Sequence, residues 1–236
     1  MKILAIEASS LVASVAILTD DVITAEYTIN HKITHSQTLL PMIDEICSRT
    51  DTKPEEFDAV AVSGGPGSFT GLRIGSATAK GLGQALKIPL IHVPTLEAMA
   101  YNMYGTEMLV CPIMDARRSQ VYTGIYRFDE DRLCAVMDTC AMGIDELLQA
   151  LGKYNHKTVF IGDGIPVYRD IIEKKAEFPY IYAPAGMNRQ RASSVAVLGM
   201  EYFKQGRTVS AAEHLPEYLR MSQAERERRE RMSGNE

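Results

Sequence analysis

Ser63-Gly64-Gly65-Pro66-Gly67-Ser68-Phe69-Thr70-Gly71-Leu72-Arg73-Ile74-Gly75 is the stretch on which the reading of this chain turns. Asp58-Ala59-Val60-Ala61-Val62 before it is an apolar run of strand length. Gly71 to Leu86 after it carries no proline and a helical pattern. The glycines therefore fall in a strand-to-helix turn. Such a turn offers free N–H groups and the positive end of a helix dipole to an anion. Glycine also lets a backbone pass close to a ligand or to another chain. Alone, the turn says phosphate or close packing.

The helix that follows adds a second signal. Gly71, Gly75, Ala79 and Gly83 recur every four residues and form one stripe of small side chains. Glycine inside a helix costs about 1 kcal/mol relative to alanine. The stripe therefore implies a close neighbour, either the parent sheet or a partner helix. Ala77, Gly81 and Ala85 form a second stripe on a neighbouring face, so one can serve the sheet while the other is left for a partner.

Outward from the turn, Lys2–Glu7, Val12–Leu18 and Val22–Ile29 read as strands whose short gaps permit only antiparallel pairing. A helix follows from about Ser36 or Thr38 to Ser48, with Leu39, Met42, Ile43, Ile46 and Cys47 on its apolar face. Pro41 fits its first turn if Thr38 is the N-cap. Strand Leu90–Val93 and a helix from Thr95 to about Tyr104 close the first half. The order then repeats. Strands Leu109–Met114, Gln120–Phe128 and Leu133–Asp138 lead to helix Ile144–Leu151, strand Thr158–Ile161 and helix Val167–Lys174. Strand Tyr180–Tyr182 and helix Ala192–Gln205 end it. Ile6-Glu7-Ala8-Ser9 and Met114-Asp115-Ala116-Arg117 end the two first strands alike. Three antiparallel strands, a helix, a strand and a helix, given twice, is the plan of the actin-like ATPase and sugar-kinase superfold, an α/β duplication with two lobes. The lobes are expected over 1–106 and 107–220, with a charged tail at 221–236. In that tail Ala224–Arg231 alternates charge without apolar anchors, as a solvated helix or frayed end does.

With 236 residues, 46% of them hydrophobic, the chain can bury one large core or two small ones. No apolar run reaches the roughly 18 residues of a membrane span. The start shows no signal-peptide pattern, so a cytoplasmic location and no membrane partner are expected. Cys47, Cys111, Cys134 and Cys140 are scattered without a Cys-x-x-C pair, as buried thiols in a reducing compartment are. A net charge of −5 argues against free nucleic acid as a partner of the isolated chain.

For phosphate chemistry the superfold needs two acidic turns rich in glycine and hydroxyls. Here they read Glu7-Ala8-Ser9-Ser10 and Asp115-Ala116-Arg117-Arg118, with cations where glycine belongs. Half a clamp survives, so Ser9, Ser10, Gly65, Gly67 and Arg117 are candidate anion or nucleotide contacts. Independent ATPase or kinase activity is not expected. His31-x-x-x-His35 has a metal-ligand spacing, but Lys32-Ile33-Thr34 is β-prone and no Glu follows the first histidine. No Gly-x-Ser-x-Gly surrounds Ser63 or Ser68.

The chain resembles the TsaB (YeaZ) family of tRNA threonylcarbamoyladenosine biosynthesis proteins. The resemblance rests on Ile3-Leu4-Ala5-Ile6-Glu7-Ala8-Ser9, on His35-Ser36 leading to Leu40-Pro41-Met42-Ile43, and on Gly65–Gly75. It extends through Met114–Arg118 with Val121-Tyr122, Gly162-Asp163-Gly164 and Pro216-Glu217-Tyr218-Leu219-Arg220. Glu7 departs from the Asp more usual there. The resemblance implies a non-catalytic subunit that pairs with its catalytic paralogue TsaD. In that paralogue a metal-binding His-x-x-x-His lies where this chain has Thr95 and Met99. It implies pairing through the helices around Leu39–Ile46 and Gly71–Leu86, so Leu39, Met42, Ile43, Ile46, Gly71, Gly75, Ala79 and Gly83 are the expected interface. It further implies recruitment of the ATPase TsaE, a homodimer when alone, contact with tRNA only through the complex, and no tightly bound cofactor or metal. ATP or ADP would bind, if anywhere, at the complex interface. The rival readings are a metal-dependent, glycoprotease-like peptidase and a degenerate sugar kinase.

Overall fold

The computed structural model describes residues 1–31 and 34–220; the charged run Ala224–Arg231 lies outside them. The first half gives β1 (Lys2–Glu7), β2 (Val12–Thr19), β3 (Val22–Asn30), α1 (His35–Arg49), β4 (Ala59–Gly65), α2 (Phe69–Leu86), β5 (Leu90–Pro94) and α3 (Thr95–Tyr101). The second gives β6 (Leu109–Asp115), β7 (Gln120–Asp129), β8 (Arg132–Gly143), α4 (Ile144–Tyr154), β9 (Thr158–Ile161), α5 (Ile165–Lys175), β10 (Tyr180–Tyr182) and α6 (Ala192–Lys204). The sheets run β3-β2-β1-β4-β5 and β8-β7-β6-β9-β10. Each pairs its first three strands antiparallel and adds two parallel ones. The topology is the same twice, which is the two-lobed, actin-like duplicated α/β fold.

The central strands are apolar throughout because helices cover both faces of their sheets. On one face of the first sheet, α1 and α2 pack Leu39, Met42, Ile46 and Ala79 onto Leu4, Ile6 and Val60. The other face is closed by a helix from the opposite half: Ala192, Val195, Ala196 and Leu198 of α6 meet Ile3, Ala5, Ala61 and Val93. A Cβ on Gly199 would stand 2.7 Å from that of Ala61, so glycine sets how closely α6 can settle. In exchange, Leu96, Met99 and Ala100 of α3 pack with Val110, Tyr126 and Ile161 of the second sheet. The 106/107 division thus separates the sheets but not the helices that cover them.

Two helix starts differ from expectation. α1 begins at His35, one residue before the earlier expected start at Ser36 and four before the start a Thr38 cap implies, and Pro41 lies inside it. The carbonyl that Pro41 cannot satisfy belongs to Gln37, and both residues are exposed, so water takes the bond at little cost. α2 starts at Phe69 because Ser68 Oγ accepts the Gly71 N–H at 3.3 Å.

The expected free seam is corrected. Leu39, Met42, Ile43, Ile46, Gly71, Gly75, Ala79 and Gly83 are all buried within the first lobe. A Cβ at Gly71 would stand 2.1 Å from Ala8 O, one at Gly75 3.1 Å from Ala8 Cβ, and one at Gly83 2.8 Å from Leu90 Cδ2. This stripe exists because α2 lies against the turn after β1 and against β5. The second stripe is the open one: Ala77, Gly81 and Ala85 are exposed, with nothing among the described residues within 4 Å of a Cβ at Gly81.

The two stripes predict opposite responses. Gly71→Ala drives a methyl into a backbone oxygen and should destabilise by about 2–4 kcal/mol. Gly81→Ala should stabilise by about 0.5–1 kcal/mol. Urea unfolding of both variants measures the signs.

Candidate functional site

The lobes face each other across a cleft of about 920 Å³. The turn after β1 and the start of α2 give it Ser9, Ser10, Gly67 and Ser68, and the second lobe gives Asp115, Arg117 and Asp163. Its outer wall is the C-terminal segment Glu217–Arg220.

The acid of the first turn does not face this space. Glu7 is 1% exposed, and Ser9 donates both its backbone N–H and its hydroxyl to Glu7 Oε1 at 2.6 Å. Burial raises the carboxyl to about 7 against these bonds. Of the five anion candidates, Ser9 therefore spends its hydroxyl on Glu7. Ser10 Oγ accepts the Val12 N–H at 3.2 Å and keeps its own proton to donate. Gly65 is off the cleft altogether: its N–H donates to Thr95 Oγ1 at 3.2 Å, and a Cβ there would meet Glu217 O at 2.2 Å. Gly67 lines the cleft but is pressed on Ser9 O, 2.3 Å from where its Cβ would be. Arg117 reaches the space with a side chain 87% exposed and a loose 3.8 Å pair to Asp115.

The second turn is strained. Arg117, Arg118 and Ser119 all have positive φ, from 56° to 66°, a conformation costing about 1–2 kcal/mol per L-residue. Arg220 secures it from outside, donating Nη1 to Ala116 O at 2.6 Å and to Arg117 O at 3.4 Å.

Arg220 ends a strap that follows α2 and then crosses to the second lobe. Val209 extends the first sheet beside Leu90. His214 enters the core next to Ser76, with Nδ1 2.9 Å from Ser76 Oγ, and burial holds its pKa down at about 4. Lys80 donates to His214 O at 3.1 Å. Glu217 N–H donates to Gly64 O at 2.7 Å. Tyr218 stacks on Phe69 with centroids 4.6 Å apart, and Arg73 covers the other partner of that stack, 3.8 Å from the Phe69 centroid. The glycine turn is thus filled by the chain's own backbone. Pro216–Arg220 carries no local signal of this: only the fold brings it to residues about 150 positions earlier.

The metal and nucleophile candidates are dispersed. His31 precedes α1 and is exposed, whereas His35 Nε2 lies 2.8 Å from Ser10 O. Thr95 holds Gly65, and Met99 packs beside Gly162. Ser63 Oγ accepts the Ala8 N–H at 3.3 Å. Among the described residues no three His, Cys, Asp or Glu side chains converge as a metal site, and no helix is long and apolar enough to cross a membrane.

Comparison with known proteins places this geometry among relatives. Residues 23–228 match the family model of the tRNA N6-adenosine threonylcarbamoyltransferase TsaD. The chain is 33% identical to the tRNA threonylcarbamoyladenosine biosynthesis protein TsaB of Bacillus subtilis, over 95% of this chain and 96% of that one. It is 29% identical to TsaB of Escherichia coli, over 93% and 95%. Among solved structures it superposes on YeaZ from Pseudomonas aeruginosa with a TM-score of 0.81 at 27% identity, covering 92% of this chain and 99% of that one.

The buried acid and the strap each give a prediction. Glu7 has a folded pKa above its unfolded value, so its stabilising, protonated form is complete below about 4.5 and is lost as pH rises through about 7. Glu7→Gln keeps the acceptor for Ser9. It should raise stability at pH 8 by up to about 3 kcal/mol and change it little at pH 4, as thermal unfolding at the two pH values will show. Arg220→Ala should leave the fold intact but speed amide exchange at 213–219 and in the 116–120 turn, read by exchange mass spectrometry.

Proposed function

The chain belongs to the TsaB (YeaZ) family of tRNA threonylcarbamoyladenosine biosynthesis proteins, and on that premise we propose that it acts as a non-catalytic scaffold within the complex that makes this modification. Its partner is a TsaD-type paralogue, which it holds in an active arrangement, and the pair recruits a TsaE-type ATPase. It works in the cytoplasm and meets tRNA only through that complex. Alone, it forms a homodimer through the same surface.

One observation carries the reading. Gly81 sits in the interior of an 18-residue helix, and among the described residues nothing lies within 4 Å of a Cβ placed on it, so no described residue offsets its cost to the helix. It is flanked by exposed Ala77 and Ala85, and α1 packs beside α2 on the same sheet face with Leu40 56% exposed. A flat helical surface of this kind admits a second pair of helices at close range. The face turned inward by Leu39 and Gly75 is not that surface.

The cleft supports the non-catalytic part. Its first acid is turned away with its carboxyl raised by burial to about 7, and its second turn carries arginines in left-handed backbone. ATP or ADP is proposed to bind only in the assembled complex, against Ser10, Gly67 and Arg117. The peptidase reading would need His31 and His35 on one metal, and these face different surroundings.

Gly81→Trp tests the surface. The variant should unfold like the parent but lose co-purification with the TsaD-type protein and lose support of tRNA modification in a reconstituted assay. Intact pairing would remove α2's open face from the interface. Stoichiometric metal by elemental analysis, with peptidase turnover, would restore the rival.

A further inference from the structure

The strap that follows α2 is anchored by a titratable ring. Between 205 and 220 only His214 is buried, at 2% exposed. Its neighbour Leu215 is 72% exposed. An apolar side chain would ordinarily be the one to hold such a segment down. Here leucine faces solvent and imidazole fills the pocket. The rest of the hold is polar or shallow. Val209 and Leu90 exchange both backbone bonds at 2.9 Å, and Glu217 N–H donates to Gly64 O at 2.7 Å. Tyr218 lies on Phe69 while itself 39% exposed.

The pocket suits the neutral ring and not the charged one. From α2, Ser76 Oγ lies 2.9 Å from His214 Nδ1, and Lys80 Nζ donates to the carbonyls of His214 and Ala212 at 3.1 and 3.4 Å. From β5, the His92 ring stands with its centroid 5.5 Å from that of His214. On the strap itself, Glu213 is turned to Ser210, accepting its N–H and hydroxyl at 3.2 and 2.7 Å. The charges of Glu217 and Arg207 are felt by His92. Among the described residues His214 Nε2 is buried with no partner. A protonated ring would thus bury an N–H without an acceptor, beside an ammonium and a second imidazole, with no carboxylate bonded to either nitrogen. His92 links this pocket to the glycine turn: a Cβ at Gly64 would stand 2.0 Å from His92 Cε1.

We propose that the strap is a proton-released cover: when His214 takes up a proton, residues 209–220 leave α2 and open the outer wall of the cleft. Trigger and covered surfaces belong to one segment. Departure of Glu217 frees Gly64 O and the space beside Gly65, and departure of Tyr218 bares Phe69. Withdrawal of Arg220 unpins the carbonyls of Ala116 and Arg117. Burial holds the His214 ring at about 4 under the cover, against an ordinary value of 6.5. A pKa lower in the covered form means the cover is fully held above 6.5 and weakens as pH falls from there toward 4. Glu7 acts with the opposite sign, because its raised pKa makes the folded chain firmer in acid. The device is separate from the open face of α2 and does not depend on it.

The test is hydrogen exchange of the full-length protein at pH 7.5 and pH 5, read by mass spectrometry and corrected for the intrinsic rate. Protection of peptides within 207–220 should fall about 30-fold, near the tenfold per pH unit that one proton imposes below 6.5. Peptides from β6 and β9 should keep theirs. His214→Phe fills the pocket with a ring that takes no proton, so strap protection should become flat across the same range. His92→Gln should retain at least a tenfold fall. The parent protein supplies a readout that needs no variant to fold: titration of the His214 ring resonance must coincide with loss of strap protection. Flat protection in the parent would overturn the proposal. So would an equal fall in His214→Phe, a flat profile in His92→Gln, or a His214 ring that is protonated while the strap stays protected.

Discussion

The structure depends on one close approach of backbone to backbone. The turn after β1 lies directly on the first turns of α2, with Ser68 N–H bonded to Ser9 O at 2.6 Å. Gly67 and Gly71 lie where any side chain would collide with the carbonyls of Ser9 and Ala8. That contact fixes α2 on the sheet, and α2 in turn supports α1, the strap and the floor of the cleft. It also turns Glu7 inward, because Ser9, held from above, aims both its donors at the carboxylate. A turn of this composition is suited to phosphate, but here its free space is filled by Glu217 and by its own neighbours.

The duplication has diverged in a physically consistent way. Both sheets keep the same strand order, and each lends its last helix to the other, so neither lobe can complete its core alone. What differs is the turn after the first strand. In the first lobe it is buried and satisfied. In the second it is exposed, carries three successive residues of positive φ and is pinned by Arg220. The strap therefore joins the well-packed copy to the strained one.

Much of this was legible in local pattern. The strands of the first half and the apolar face of α1 follow from period alone, and the repeat of three strands, helix, strand, helix follows from order. The small-residue stripes were visible too, but their assignment was not. Every four residues gives two faces, and nothing local says that Gly75 meets Ala8 while Gly81 meets nothing. The sequence left the start of α1 open between Ser36 and Thr38, because a proline in the seventh position reads as a first-turn residue unless its exposure is known. Pro216–Arg220 was legible as part of the family resemblance, but its role as a strap was not, since that depends on partners far away in the chain.

The sequence by itself determined the elements, their duplication, the glycine-bearing strand-to-helix turn and the family. These rest on periodicity, turn chemistry and residue identity, which act over a few positions. Only the tertiary structure decided which stripe is spent inside the lobe and which is left open, that the helices are exchanged between halves, and that Glu7 is buried with its carboxyl raised to about 7. Each of these is a question of what lies across a gap of a few ångströms from residues distant in sequence. Packing answers it, and periodicity does not.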